Sequence, residues 1–256
     1  MVTPTGSLVG VTKALVIEND PTDDLCRLGE WLAEAGLALE VRRPHEGDEL
    51  PETLDGYNAF IVLGGEQNAY AGEDGSPGAM WFPRVESLLR KAVRYQVPTL
   101  GICLGGQLLA QAHGGRVERS PSGLEVGAKL VAKRDAAAKD VLFAPVPFMP
   151  DVVQYHYDEI SDLPHGAVLL AASPRYPNQA FRLGDRAWGT QFHIETDTEM
   201  FAGWAEKLEG GDELIAEVEA AQGDVEEVWR PFAHRFADVA LGRLDVTEDR
   251  RTLPLL

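Results

Sequence analysis

The chain has 256 residues, of which 45% are hydrophobic and 25% are charged, the composition of an ordinary globular protein. Its 41 acidic and 23 basic residues give a net charge of −18, and so acidic a surface repels phosphate backbones and anionic lipids. Nucleic acid and membrane are therefore excluded as expected partners. Two cysteines make no disulfide framework, and the N-terminus has no apolar run long enough for a signal peptide, so we expect a soluble, cytoplasmic protein.

In the first half of the chain, short apolar runs alternate with segments of helical spacing. The predicted strands are Ala14–Ile17, Leu39–Arg42, Ala59–Leu63 and Thr99–Cys103. The predicted helices are Asp23–Ala35, Trp81–Tyr95 and Leu104–Ala112. Such alternation is typical of a parallel sheet with helices on both faces.

The second half begins with short strands and ends with helices. Between Val117 and Phe192 the predicted strands are EVGAKLVAK, VVQYH, AVLLAAS and QAFRLGDRAWGTQFH, the last a hairpin turning at 183–185. Residues 197–242 have helical spacing, Pro231 should kink or restart a helix, and the last dozen residues should be loosely held. The predicted fold class is α/β: a mostly parallel central sheet flanked by helices, with an antiparallel extension and C-terminal helices.

The predicted organisation is an α/β domain over residues 1–200 and a helical extension over residues 201–256 that packs on it. Residues 206–228 carry nine acidic side chains and a single lysine. A solvated helical face explains this charge, and a docking surface for a partner is the alternative.

Cys103 lies between a predicted strand and a predicted helix, in the segment Gly101-Ile-Cys103-Leu-Gly105. This is the thiol form of the G-x-S-x-G elbow, where a strand turns sharply into a helix and the nucleophile has a strained backbone. Side chains two positions before and after the nucleophile would collide, and glycine removes that collision. The helix N-terminus also favours a thiolate. A buried strand cysteine that happens to lie between glycines is the alternative.

A cysteine nucleophile needs a base, and the base needs an orienting group. His193 and Glu195 end an alternating strand, and residues two apart on a strand share a face, so their side chains should point the same way. The remaining histidines suit loops, helix ends or another strand end: His45, His113, His156, His165 and His234. An ordinary strand-end pair explains His193 and Glu195 in isolation, but together with the elbow they predict a cysteine–histidine–glutamate triad.

Gly64 and Gly65 follow the predicted strand Ala59–Leu63. Loops that leave the carboxyl ends of parallel strands gather at one rim of the sheet. A glycine there can present a bare amide N–H to the elbow, and with the amide of Leu104 it would form a two-donor oxyanion hole. A simple glycine turn is the alternative.

The segments GICLGGQ and, about ninety residues later, QFHIE together resemble the class I (triad-type) glutamine amidotransferase domain. The family pattern is G-x-C-x-G-x-Q for the elbow and a Q-F-H-P-E-like segment for the base, so Ile194 stands in place of a proline. The segments LGGEQNAY, WFP and GLEVG resemble stand-alone, guanylate-synthase-like members. The resemblance spans about residues 14–200 and implies a flavodoxin-like fold.

The resemblance also implies a role for each matching residue. The nucleophile, the general base and the orienting carboxylate would be Cys103, His193 and Glu195. The oxyanion amides would be those of Gly65 and Leu104. The amino-acid end of the substrate would be contacted by Gln107, Tyr155, His156 and Tyr157. The resemblance implies no metal and no organic cofactor.

The implied reaction is hydrolysis of the side-chain amide of glutamine through a γ-glutamyl thioester, which releases glutamate and ammonia. Because no acceptor domain follows the triad, we expect the ammonia acceptor to be bound by a separate synthetase. Two alternatives stay open. One is a stand-alone hydrolase of γ-glutamyl amines or peptides, which the triad cannot distinguish. The other is a non-catalytic regulatory domain, against which the complete triad argues.

Overall fold

The computed structural model describes residues 12–246. The predictions made for the first eleven and the last ten residues lie outside this range. No helix in the described range is both long and apolar enough to cross a membrane.

Twelve strands and five α-helices make up the described part of the chain. The strands are β1 (Lys13–Ile17), β2 (Ala38–Arg42), β3 (Ala59–Val62), β4 (Thr99–Ile102), β5 (Arg116–Arg119), β6 (Glu125–Leu130), β7 (Ala132–Lys133), β8 (Asp151–His156), β9 (Asp158–Asp162), β10 (Val168–Ala172), β11 (Ala180–Leu183) and β12 (Ala187–Thr190). The helices are α1 (Cys26–Glu34), α2 (Phe82–Tyr95), α3 (Leu104–Ala112), α4 (Thr198–Ala205) and α5 (Gly211–Ala240).

Eight strands form one sheet in the order β2-β1-β3-β4-β12-β11-β10-β7. The five from β2 to β12 are parallel to one another, and the last three are added antiparallel. The predicted fold class, a mostly parallel sheet with an antiparallel extension, is confirmed. Two ribbons, β5–β9 and β6–β8, lie outside this sheet, and neither β5 nor β9 was predicted.

The core consists of two apolar layers, one on each face of the sheet. Side chains of α1 and α5, including Leu28, Trp229 and Phe232, pack on one face. Side chains of α2 and α3, including Leu88 and Leu108, pack on the other. Strands covered on both faces are apolar throughout, which explains why β1, β3 and β4 were recognisable as short continuous runs. The division into a domain of residues 1–200 and an extension of residues 201–256 stays a prediction.

Several element boundaries differ from the predictions by a residue or two, and three larger differences concern α1, β12 and α5. Helix α1 begins at Cys26 rather than at Asp23, because Asp23 lies in a buried turn whose amide N–H donates to the Asp20 carbonyl. Strand β12 ends at Thr190, before His193. Helix α5 runs without interruption through Pro231, so the predicted restart is wrong; the apolar face on both sides of this exposed proline is buried in the core and holds the helix together.

Candidate active site

Cys103 lies in the turn between β4 and α3, and its φ of 49° is rare for a residue with a side chain. The flanking glycines make this turn possible. A Cβ on Gly101 would lie 2.5 Å from the Gly105 carbonyl oxygen, and a Cβ on Gly105 would lie 1.9 Å from the Val62 carbonyl oxygen. The structure therefore has the tight elbow that the glycine spacing predicted.

His193 and Glu195 lie beyond the end of β12, in a segment joined to β8 by a bridge between His193 and Val153. The imidazole Nδ1 and the Glu195 Oε1 are 2.5 Å apart, and both side chains are buried. The second carboxylate oxygen, Oε2, accepts a 2.8 Å hydrogen bond from the Ile194 amide. The expected pairing is present, although a short bridged segment and not a continuous strand aligns the two side chains. The family's proline has no N–H and could not donate the hydrogen bond that the Ile194 amide makes to Glu195.

Cys103 is close enough to the imidazole for its charge to act on it, and the two side chains line the same cavity. Burial opposes a charge on His193, but the charges of Glu195 and Cys103 and the hydrogen bonds to both raise its pKa well above the ordinary value. An imidazolium between a thiolate and a carboxylate is the charge arrangement that favours a nucleophilic sulfur. The amide of Gln191 adds a 3.8 Å contact to the Cys103 sulfur.

The glycine loop after β3 lies against the elbow. A Cβ on Gly65 would lie 3.2 Å from the Leu104 side chain, so the two residues named as amide donors are neighbours. Asn19 fixes this loop, because its side-chain amide donates to the Leu63 carbonyl over 2.8 Å while its oxygen accepts from the Trp81 indole. The backbone at Gly65 has a φ of 153°.

Cys103 and His193 line a cavity of about 270 Å³. Its lining includes these residues from the sequence-based site: Gly65, Cys103, Gln107, Tyr155, His156, Tyr157 and His193. Glu195 and Leu104 are buried beside it. Both ring nitrogens of His156 are already hydrogen-bonded, one to the Asp158 carbonyl and the other to Glu125. A ligand could therefore contact the backbone of this segment but not the His156 ring nitrogens. Gln107 donates to the Asp158 carbonyl and to Gln191.

Ten of the lining residues were missed by the sequence reasoning. They include Asp23, Arg119, Asp158 and Trp204. The Trp204 ring packs against the His193 ring with centroids 4.7 Å apart and planes inclined by 55°, and its indole donates to the Thr22 carbonyl. Only Asp23 carried a usable signal, since it follows β1 at the same carboxyl edge of the sheet as the glycine loop and the elbow.

Among residues 12–246, one group combines side chains of the types that bind metals. The relevant atoms of Asp23, His193 and Glu195 all lie within 4.8 Å of one another. Because the Nδ1 and Oε1 atoms of this group bind each other, it is an internally hydrogen-bonded cluster.

Comparison with known proteins agrees with this geometry. Gamma-glutamyl peptidase 5 of Arabidopsis thaliana is 30% identical over 171 residues, which are 65% of this chain and 65% of that protein. A GMP synthase [glutamine-hydrolyzing] of Porphyromonas gingivalis is 32% identical over 149 residues, which are 58% of this chain but only 27% of the synthase. The aligned part therefore spans less than two thirds of either relative.

The same comparison extends to the fold and to the family. The crystal structure of a glutamine amidotransferase from Thermotoga maritima superposes with a TM-score of 0.78, at 27% identity, over 89% of this chain and 99% of that one. The sequence model of the family Glutamine amidotransferase class-I matches residues 27–202, which include both the elbow and the His193 segment. The chain thus belongs to the class I glutamine amidotransferase family.

Proposed function

We propose that this protein is a cysteine amidohydrolase that cleaves the side-chain amide of glutamine and supplies ammonia to an acceptor on a separate synthetase. The observation that carries the proposal is that Cys103, on its strained turn, lines one cavity together with His193, whose imidazole is hydrogen-bonded to Glu195. The similarity to a protein named GMP synthase [glutamine-hydrolyzing] supports glutamine as the substrate.

Each step of the proposed reaction is assigned to a group at the site. The Cys103 thiolate attacks the amide carbon, and the amides of Gly65 and Leu104 stabilise the oxyanion. His193 gives its proton to the departing ammonia, which leaves a γ-glutamyl thioester. His193 then removes a proton from water, the hydroxide cleaves the thioester, and glutamate leaves. Glu195 stabilises the imidazolium throughout.

The far wall of the cavity offers groups for the amino-acid end of the substrate. Arg119 lies over the Tyr157 ring, 4.1 Å from its centroid, and 4.0 Å from the Asp158 carboxylate. A guanidinium and a carboxylate side by side complement the α-carboxylate and α-ammonium groups that glutamine and every γ-glutamyl compound share. We therefore add Arg119 and Asp158 to the proposed substrate contacts Gln107, Tyr155, His156 and Tyr157.

Replacing Arg119 by methionine should raise KM about 10-fold and lower kcat much less, because the lost charged contact is made equally in the ground and transition states. Steady-state kinetics of the purified variant measure this split. The matched control is Arg116→Met, since Arg116 lies on the same strand, pairs with Glu118 and is not among the residues lining the cavity. An unchanged KM in Arg119→Met would remove Arg119 from the site.

A second candidate is a stand-alone γ-glutamyl hydrolase. It is favoured by the 30% identity to a gamma-glutamyl peptidase, and the thioester chemistry would be the same. The leaving group would then be an amine or the amino group of a peptide instead of ammonia.

The two candidates differ in what the purified chain does by itself. We expect slow glutamine hydrolysis without a synthetase and still slower cleavage of a γ-glutamyl dipeptide. Release of ammonia and of the dipeptide's free amino acid is measured in parallel, with Cys103→Ala as the blank. Rapid turnover of the dipeptide would assign the hydrolase activity. Failure of both substrates, and of labelling by a γ-glutamyl electrophile, would favour a regulatory domain.

A further inference from the structure

Asp23 is a buried carboxyl group that the proposed reaction does not use. It lies between β1 and α1, is 4% exposed, and lines the same cavity as Cys103. A Cβ on Gly64 would lie 2.0 Å from its Oδ2 and 3.2 Å from the Cε1 of His193. Because Gly64 has no side chain, the Asp23 carboxyl group and the His193 imidazole can both pack against it.

The neighbour of Asp23 is the triad carboxylate. A carboxylate oxygen of Asp23 lies within 4.8 Å of one of Glu195, and the Oδ1 of Asp23 is buried without any hydrogen-bond partner. Within residues 12–246, no lysine or arginine forms an ion pair with either carboxyl group. Two carboxyl groups buried this close together favour a proton on one of them, because two adjacent buried negative charges repel strongly.

The contacts point to Asp23 as the one of the two that carries the proton. Both oxygens of Glu195 accept hydrogen bonds, from the His193 Nδ1 and from the Ile194 amide. Asp23 has an oxygen with no donor at all. Burial, followed by the charges of Glu195 and Asp20 and the hydrogen bond to Glu195, raises the pKa of Asp23 to about 8, although the His193 charge opposes this.

We propose that Asp23 is a positioning residue of the triad: its carboxyl group holds a proton and donates a hydrogen bond to Glu195, so that the pair carries one negative charge. The donated bond fixes the carboxylate that orients His193, and it leaves the imidazolium facing one full charge instead of two. Only the activity readout of this inference rests on the proposed function.

Loss of the Asp23 proton should slow catalysis. The charged groups that face Asp23 are Asp20 on its own loop and His193 and Glu195 on the segment after β12, while Cys103 acts on His193 from the elbow. A second negative charge beside His193 makes the imidazolium hold its proton more tightly. It then becomes a weaker acid towards the departing amine, so activity should fall as the pH rises through about 8.

The test compares the pH profile of kcat/KM in the wild type, Asp23→Asn and Asp24→Asn. The Asp23→Asn amide still donates to Glu195 but cannot ionise, whereas Asp24 is its exposed neighbour. We expect the wild type and Asp24→Asn to lose about 10-fold per pH unit above the ionisation, and Asp23→Asn to lack this loss. An alkaline limb in Asp23→Asn identical to that of the wild type would overturn the inference.

A second readout needs no substrate. A carboxyl group whose folded pKa lies above its unfolded value favours the folded state below the unfolded value, and this stability is lost as the pH rises to the folded pKa. The melting temperature of Asp23→Asn minus that of the wild type should therefore increase from pH 5 to about pH 8 and stay level above it. A difference independent of pH would overturn the inference, and a growing difference in a catalytically silent protein would refute the proposed function alone.

A third measurement uses the wild type only, and so does not depend on the variant folding. Infrared spectra should contain a protonated-carboxyl band at pH 7 that disappears above about pH 8. Absence of this band at pH 7 would overturn the inference.

Discussion

Replacing Cys103 by alanine should abolish turnover, with a loss of at least about 10⁴-fold in kcat for whichever γ-glutamyl amide the wild type cleaves. The variant keeps the cavity and the imidazole but has no atom that can form the thioester. Water would have to attack the amide directly, and the turn at position 103 positions a side-chain sulfur and not a water molecule. Ammonia or amine release under single-turnover conditions measures the residual rate.

The matched control is Cys26→Ala, because Cys26 is the only other cysteine in the chain. Burial, followed by its hydrogen bond to Asp197, raises the pKa of Cys26 to about 12, so it is a poor nucleophile at neutral pH. The Cys26→Ala variant should retain turnover, and a γ-glutamyl electrophile should label only Cys103 in the wild type. Labelling that persists in Cys103→Ala, or turnover within about 10-fold of the wild type, would contradict the assignment.

The elbow was predictable because its determinants are local. A strand, a turn with φ above zero and a helix follow one another within residues 99–112, and Gly101 is required by an atom of the same turn. Only the requirement for Gly105 comes from elsewhere, from the Val62 carbonyl of β3. The pairing of His193 with Glu195 was also predicted. The prediction assumed that the strand continues to His193, whereas β12 ends at Thr190. The two-residue spacing of His193 and Glu195 along an extended segment was sufficient to predict that their side chains meet.

The sequence places Asp23 at the carboxyl edge of the sheet, but its contacts could not be predicted because they come from three distant segments. Helical spacing after β1 included it in a helix, whereas the structure places it in the turn before α1, against the glycine loop and Glu195. Burying a carboxyl group there depends on contacts that arise only when the sheet is assembled.

The groups on the far cavity wall were missed for a similar reason. Arg119 and Asp158 belong to β5 and β9, which pair with each other outside the main sheet. Both strands are short and polar, so no apolar run or clear alternation marks them in the sequence. The sequence therefore predicts the reactive half of the site better than the half that binds the rest of the substrate.

The tightness of the elbow leads to the other large expected effect. Replacing Gly105 by alanine should lower the free energy of unfolding by about 3 kcal/mol or more, because the new methyl group would overlap a backbone oxygen that cannot move independently. The overlapped atom, the Val62 carbonyl oxygen, would be 1.9 Å away. It belongs to β3, which is hydrogen-bonded on both sides, to β1 and to β4. Urea denaturation followed by circular dichroism measures the change.

The control is Gly223→Ala in α5, another glycine within a helix but one with no atom within 4 Å of an added Cβ. Removing that glycine should stabilise the protein by about 0.5–1 kcal/mol, since alanine restricts the unfolded chain and favours helix. In Gly105→Ala, any folded protein must displace the turn that carries Leu104, so kcat should fall even where folding is retained. A Gly105→Ala variant as stable and as active as Gly223→Ala would mean that the turn is looser than its contacts imply, and the strained conformation of Cys103 would then lose its structural cause.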